Sequence, residues 1–336
     1  GTAVFANEPL LRVEAPLWQA QIVETYLLNT LNYQSLIATR AARIRDIAGP
    51  EATLLEFGTR RAFSPQGALW AARAALAAGF DGTSNVLAAL KLGQKPSGTM
   101  AHAFVMALTA TSGTEEEAFQ AFHEYFPGAP LLIDTYDTVA AAQMLLEKIN
   151  AGEMQLSGVR LDSGDLVSLS QQVRSLLPGI EIFASGDLDE WEIAKLKASG
   201  ACIDGYGLGT KLVTGVPIGG VYKLVEIDGI PTMKQSSNKV TYPGRKQVFR
   251  RWEQGKIHSD RLGLIDESLG GESGLLQLFV KQGRRVKSLT SLAEIRDRTS
   301  TSVASLPSSI RQLNHPQKLP VEISPALWEL REKTQR

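Results

Sequence analysis

Between Glu51 and Thr214, short apolar runs alternate with longer stretches of helical period. Leu54-Leu55-Glu56-Phe57, Leu131-Leu132-Ile133-Asp134, Gly158-Val159-Arg160-Leu161-Asp162, Ile180-Glu181-Ile182-Phe183-Ala184 and Cys202-Ile203-Asp204-Gly205-Tyr206 read as strands. Helices are predicted over 65–78, about 138–149, 165–177 and 188–198. Ser64 is a ready N-cap for the first, and Pro65 suits its opening turn, where a missing N–H costs nothing. Repeated βα units predict a parallel sheet buried on both faces, either a barrel or a doubly wound sheet. In a barrel the loops after the strands share one rim, where ligands bind.

The flanks carry a different pattern. Residues 1–16 alternate around Asn7-Glu8-Pro9 and read as a hairpin or two short strands. Residues 17–48 read as one or two helices, with apolar positions at Ile22, Tyr26, Leu27, Leu31, Ile37 and Ile44. After Gly215, the run 220–227 meets Asp228-Gly229, a good hairpin turn, and 230–235, 247–253 and 256–259 continue as β-rich segments with a second turn at Gln254-Gly255. This predicts a small antiparallel domain sharing a sheet with 1–16. The tail, with Pro307, Pro316, Pro320 and Pro325, is expected to wrap the surface and end in a short helix over 326–333. The expected organisation has four parts. Residues 1–50 lead into the barrel and belong partly to the smaller domain. Residues 51–214 form the barrel and its site, 215–288 the β-rich part, and 289–336 the tail.

Composition narrows the choices. The chain has 336 residues, 43% of them apolar, which is ample for a sizeable core. Lys and Arg number 35 and Asp and Glu 35, so bulk charge favours neither nucleic acid nor a membrane surface, and an anionic ligand must be met locally. A single cysteine, Cys202, rules out an internal disulfide and fits a reducing, cytoplasmic setting. The start, Gly1-Thr2-Ala3-Val4-Phe5, has neither the basic nor the apolar part of a signal peptide, and the chain is expected to begin inside a longer gene product.

A duplicated loop is the strongest chemical signal. Asp162-Ser163-Gly164-Asp165-Leu166 follows one strand and Ala184-Ser185-Gly186-Asp187-Leu188 the next, each opening a helix. A Ser-Gly step turns backbone N–H groups outward and the helix adds its positive end, a combination suited to phosphate. The acidic residue suits ribose hydroxyls or a magnesium ion held by diphosphate. Serine and aspartate before a helix are also ordinary N-caps, and that reading stays open for either copy alone. Gly205-Tyr206-Gly207-Leu208-Gly209-Thr210-Lys211 is a third such loop, whose glycines permit close backbone approach and whose Thr210 suits a terminal phosphate. Its spacing is neither that of a P-loop nor that of a dinucleotide fold.

Three more positions stand out. His102 follows Ser97-Gly98-Thr99 in a small, apolar setting. A neutral imidazole there is a competent nucleophile toward phosphorus, or else a satisfied core histidine. Among the other histidines, 123, 258 and 315, no pair has zinc-ligand spacing. In Glu56-Phe57-Gly58-Thr59-Arg60-Arg61 the arginines suit a diphosphate and Phe57 a flat heteroaromatic ring; a surface basic pair and a core phenylalanine are the plainer alternative. Arg160 lies inside an apolar strand, where an unpaired cation is costly, so it must face a carboxylate of the protein or of a ligand.

Five segments, Glu56-Phe57-Gly58-Thr59-Arg60-Arg61, Gly79-Phe80-Asp81-Gly82-Thr83-Ser84-Asn85-Val86, Ser97-Gly98-Thr99-Met100-Ala101-His102, Arg160-Leu161-Asp162-Ser163-Gly164-Asp165 and Gly219-Gly220-Val221-Tyr222-Lys223-Leu224-Val225, resemble, in order, the motif series of nicotinate phosphoribosyltransferases. The resemblance runs from near Gly1 to about Arg251, and more loosely through the tail. It implies an irregular α/β barrel with a smaller β-rich, sandwich-like domain built from both chain ends. It also implies formation of nicotinate mononucleotide and diphosphate from nicotinate and phosphoribosyl diphosphate, with coupled ATP hydrolysis, in NAD salvage. ATP is then a co-substrate and Mg2+ accompanies the diphosphate, with no tightly bound organic cofactor.

By position, the resemblance makes His102 the histidine phosphorylated by ATP. Thr99 and Arg160 hold the nicotinate carboxylate, and Phe57 stacks on its ring. Ser84 stands where the similar nicotinamide enzymes have an acid, which favours nicotinate. Arg60, Asp162, Gly186, Asp187 and Thr210 fall where relatives bind phosphoribosyl diphosphate, and Ser185, Gly207 and Gly209 join them from the loop reading above. A homodimer with shared sites is implied, with neither nucleic acid nor membrane as partner. Relatives carry a longer N-terminal region whose tyrosine-bearing segment completes a neighbour's ring pocket, and this sequence has no such segment. The competing readings are a nicotinamide- or quinolinate-specific relative, or a shortened inactive paralogue that only binds nucleotide.

Overall fold

The computed structural model describes residues 1–236, 239–267 and 270–335, and the chain divides into two compact units. One is Gln34–Val216 and the other combines Gly1–Tyr33 with Pro217–Arg336.

The first unit is built on six parallel strands, β1 (Thr53–Glu56), β2 (Gly82–Thr83), β3 (Leu131–Leu132), β4 (Gly158–Leu161), β5 (Glu181–Ala184) and β6 (Gly205–Leu208), in the order β2-β1-β6-β5-β4-β3. The first strand lies beside the last, with Thr53 opposite Gly205 and Glu56 opposite Leu208. That is the cyclic order of a barrel rather than the order of a doubly wound sheet, which turns outward from its middle. β2 is a strand the apolar pattern did not predict, because its two residues, Gly and Thr, offer no hydrophobic run.

Both faces of these strands are covered, which explains their unbroken apolar character. Leu131, Leu132, Val159, Leu161 and Ile182 pack with Ala141, Ala142 and Leu145 of the helix Thr138–Asn150, Val173 of Leu166–Leu176 and Phe119 of Glu115–Tyr125, all buried. The alanine-rich helix Pro65–Ala77 starts as expected, with the Ser64 side chain accepting from Gly67 N–H. Alanine lets it sit close: Ala71, Ala72 and Ala75 have no exposed surface. Among the described residues no helix is long and apolar enough to cross a membrane.

The second unit centres on a four-stranded sheet in the order Glu272–Gly274, Lys246–Glu253, Lys256–Leu264, Val321–Ile323, antiparallel except for the last pairing. The Gln254-Gly255 and Asp228-Gly229 turns form as expected, all four residues having positive φ, as a tight two-residue hairpin requires. Opposite residues Arg250 and Asp260 form a bidentate pair at 2.8 and 2.6 Å with almost no exposure.

Residues 1–16 do not form the expected strands, nor share this sheet. Side chains meet their backbone instead: Ser302 Oγ accepts from Ala3 N–H, Arg250 donates to Ala3 O, and Glu8 Oε2 accepts from Phe5 N–H. The edge of this sheet beside Lys256–Leu264 is Val321–Ile323. The 220–227 strand shrinks to Glu226–Ile227, and 17–48 is two helices, Leu17–Ile22 and Glu24–Ala48. The tail holds a helix, Leu292–Ala304, opened by a Ser291–Glu294 capping box, before the expected last one, Pro325–Gln335.

Candidate active site

Every parallel strand of the first unit ends in a polar or glycine-rich loop, and these loops meet. Phe57, Arg60, Ser84, Thr99, His102, Arg160, Asp162, Ser185, Gly186, Asp187, Gly207, Gly209 and Thr210 line one cleft of about 810 Å³, together with Arg61, Met100 and Ala101. They follow β1, β2, β4, β5 and β6, apart from Thr99 and His102, which come from the segment between β2 and β3.

Arg160 is the most constrained cation of the cleft. Its Nε donates to Thr99 Oγ1 at 2.7 Å, Nη1 to Asp162 Oδ1 at 2.8 Å and to Ser185 Oγ at 2.9 Å, and Nη2 to Met100 O at 2.9 Å. Alternation along the strand puts Arg160 and Asp162 on one face. The carboxylate it had to face is thus first one of the protein. Four of its five N–H groups are committed, and one on Nη2 remains for a ligand. Burial draws its pKa down and Asp162 opposes this. Its side chain is only 11% exposed, so the guanidinium is fixed before any ligand arrives.

His102 opens the helix His102–Ser112, which has no side-chain cap. Its Nδ1 lies 3.1 Å from Thr135 Oγ1, and its Nε2 lies 3.9 Å from both Asp134 Oδ1 and Asp162 Oδ2. Asp134, at 3% exposure, spends Oδ2 on the Asp162 N–H and the Ser163 hydroxyl, while its buried Oδ1 has no hydrogen-bond partner. Behind it, Glu115 is pushed up to about 7 by burial and by the charges of Asp134 and Asp137. The imidazole therefore faces a negative field on one side. Sequence reasoning missed Asp134 and Thr135. The available signal was positional: Asp134 ends an apolar run as Asp162 does.

The two Ser-Gly loops differ in use. Asp165 caps the helix Leu166–Leu176 through Val167 and Ser168 N–H and does not line the cleft, so in this copy the ordinary reading holds. In the second copy, Asp189 caps the following helix Glu190–Ala198, which leaves Asp187 in the cleft; the loop therefore does not open that helix directly, as the sequence reading expected. Gly186 and Asp187 are both left-handed, at φ 93° and 48°. A Cβ on Gly186 would stand 2.3 Å from Asp162 O, which is why glycine is needed there. At Gly207 a Cβ would stand 2.5 Å from the Phe57 ring, so the aromatic lies directly against the third loop.

The loop after β1 is tied down from beneath. Glu56 is 1% exposed; its Oε1 accepts from Gly58 N–H and its Oε2 from the Thr83 hydroxyl at 2.5 Å. Burial raises its pKa. Arg60 and Arg61 stand exposed at the rim. Among the described residues no cluster of three or more His, Cys, Asp or Glu side chains is placed to hold a metal. The exposed carboxylate of Asp187 and the Oδ2 of Asp162, 3.9 Å from His102 Nε2, suit a magnesium ion carried mainly by ligand phosphates, as this ion prefers.

Sites of this make belong to α/β proteins that receive anionic, phosphate-bearing ligands on a strand-end rim. Two family models agree with one such group: the nicotinate phosphoribosyltransferase (NAPRTase) family matches residues 52–184, and the nicotinate phosphoribosyltransferase C-terminal domain matches 271–331. The nicotinate phosphoribosyltransferase of Bacillus subtilis is 39% identical over 98% of this chain and 74% of its own length. Nicotinate phosphoribosyltransferase pncB2 of Mycobacterium tuberculosis is 42% identical over 93% of this chain and 69% of its own. The crystal structure of human nicotinic acid phosphoribosyltransferase matches 96% of this chain and 78% of its own, with a TM-score of 0.78 at 30% identity. The chain belongs to the nicotinate phosphoribosyltransferase family, a family of enzymes.

Proposed function

We propose that this chain joins nicotinate to the ribose of phosphoribosyl diphosphate, giving nicotinate mononucleotide and diphosphate in NAD salvage. The observation that carries this reading is Arg160. It is a buried guanidinium with one N–H to spare, in the same cleft as the glycine-rich strand-end loops. Its free N–H and the Thr99 hydroxyl, once turned from Met100 O, suit the nicotinate carboxylate, Phe57 suits the ring face, and Ser84 adds no charge that would repel the acid. Arg60, Asp162, the Ser185-Gly186-Asp187 loop, Gly207, Gly209 and Thr210 suit phosphoribosyl diphosphate. Magnesium, where bound, would neutralise the diphosphate as it leaves.

The ring nitrogen attacks the anomeric carbon with its lone pair. The bond from that carbon to the diphosphate oxygen breaks, and diphosphate leaves with the electron pair. The cationic sugar between is stabilised by the carboxylates of the rim. In the tautomer whose Nδ1–H donates to Thr135, His102 keeps a lone pair on Nε2. That nitrogen attacks the terminal phosphorus of ATP, the bond to the bridging oxygen breaks and ADP leaves; water later takes the phosphoryl group from the histidine as inorganic phosphate. Phosphohistidine would then order the site and couple ATP hydrolysis to turnover. A cytoplasmic homodimer with shared sites completes the reading. Exposed Phe63, Val86 and Leu90, next to the loops of Arg61 and Ser84, suit cover by a second copy.

The test is a panel of nicotinate, nicotinamide and quinolinate with phosphoribosyl diphosphate, with and without ATP. Nicotinate alone is expected to turn over, faster with ATP, and His102→Ala is expected to lose the ATP stimulation. Preference for another acceptor overturns the substrate, and full stimulation in His102→Ala overturns the coupling.

A further inference from the structure

Phe57 and Arg60 come from the loop after β1, and Ser84 from the loop after β2. Strand pairing between the two ends at Glu56 opposite Thr83, before the cleft residues begin. Past that point Ser84 N–H and Oγ both donate to Glu56 O, at 2.9 and 3.2 Å, and the rest of the connection between the two loops is made by side chains. Glu56 Oε1 holds Gly58 N–H on the first loop, and Oε2 accepts from Thr83 on the second strand. Thr83 Oγ1 accepts in turn from Asn85 N–H at 3.0 Å, and Asn85 Nδ2 returns to Thr59 Oγ1 at 3.1 Å. The bonds close a ring from one loop to the other and back. Neither Glu56, Thr83 nor Asn85 lines the cleft.

A buried carboxylate held by two neutral donors is an expensive way to fill space, and an apolar residue would do so at lower cost. Its use lies in its two acceptor oxygens. One is needed for an N–H that the turn leaves without a partner, the other for a hydroxyl whose lone pair already serves Asn85. We infer that Glu56, acting with Thr83, is a positioning residue that sets the separation of Phe57 and Ser84 across the nicotinate end of the cleft. This rests on the nicotinate reading above. Glutamine is a poor replacement. Its amide N–H groups either oppose Gly58 N–H, or turn Thr83 into an acceptor and strand the hydroxyl proton.

The experiment compares Glu56→Gln, Thr83→Val and Thr83→Ser. Steady-state KM is measured for each substrate, and hydrogen exchange is followed in peptides covering 57–61. Glu56→Gln and Thr83→Val are each expected to raise the nicotinate KM by about tenfold, the loss of one hydrogen bond to a charged acceptor. The phosphoribosyl diphosphate KM should move far less, because three other loops hold that substrate. Exchange should quicken in 57–61 and not in the helix Thr138–Asn150. Thr83→Ser, which keeps the hydroxyl, should restore the wild-type nicotinate KM.

Equal rises in both KM values, uniform quickening across the chain, or unchanged exchange in 57–61 would each overturn the inference. Should Glu56→Gln not fold, Thr83→Val and Thr83→Ser carry the same comparison. Should the wild-type chain turn over no nicotinate, the functional reading fails, and the exchange measurement alone still decides whether Glu56 holds the loop.

Discussion

Replacing Arg160 by lysine keeps the charge and removes the shape. The guanidinium reaches Thr99, Asp162, Ser185 and Met100 O at once, with all four contacts between 2.7 and 2.9 Å. An ammonium is a compact donor on a flexible stem and serves one side of that set. Hydrogen bonds to charged groups contribute roughly 1.5–3 kcal/mol each, and the partners left behind must be rehydrated. Asp162 is 36% exposed, so water replaces part of what it loses. The stability cost of Arg160→Lys is therefore set at about 1–2 kcal/mol, below the range for stranding a fully buried charge.

Binding should suffer separately. Without a planar cation held in place, the nicotinate carboxylate loses about 2 kcal/mol, or roughly 30-fold in KM. Two assays separate these effects: thermal unfolding for the first, and steady-state kinetics with nicotinate varied at saturating phosphoribosyl diphosphate for the second. A variant destabilised as expected but with an unchanged nicotinate KM would refute the reasoning. Arg160 would then serve only to tie β4 to the loops beside it.

Two other outcomes are expected. Gly207→Ala places a methyl group 2.5 Å from the Phe57 ring, so the ring must shift; the nicotinate KM should rise, and an unchanged nicotinate KM would count against Phe57 as the ring contact. Burial, and then the neighbouring Asp260 carboxyl, push Glu8 up to about 8 from its ordinary 4.5. The folded chain thus holds a proton that the unfolded chain releases. The stabilising effect is complete below the lower value and is lost as pH rises through the upper one. Unfolding midpoints at pH about 6 and about 9 should therefore fall less in Glu8→Gln than in the wild type, and identical falls would show that Glu8 does not carry the proton.

The strands of the first unit were readable because burial on both faces leaves an unbroken apolar run, and Arg160 was conspicuous for interrupting one. Its need for a carboxylate followed from the cost of burying charge, and Asp162 lay two residues on, the period of a strand. Glu56 sat inside a recognised segment, yet its partner Thr83 belongs to a two-residue strand without an apolar signature. Asp134 was visible only as the end of a strand, since nothing in local spacing brings it to His102. Residues 1–16 misled for a related reason. β-forming residues need not make a ladder where side chains already meet the backbone groups, as Ser302, Arg250 and Glu8 do here.

β1 and β6 are paired along their whole length, although one begins the parallel set and the other ends it. The floor beneath Phe57 is Gly207 of β6. A nascent chain that has reached only β5 already carries both rim arginines, His102 and Arg160, but lacks the Gly207 backbone against which the aromatic ring lies. Contacts so distant along the chain are the slow ones in folding. Acquisition of pyridine binding during refolding should therefore trail the appearance of helix. A ligand that bridges β1 and β6 would act as a late clasp, slowing the unfolding of the whole parallel unit more than its speed of assembly.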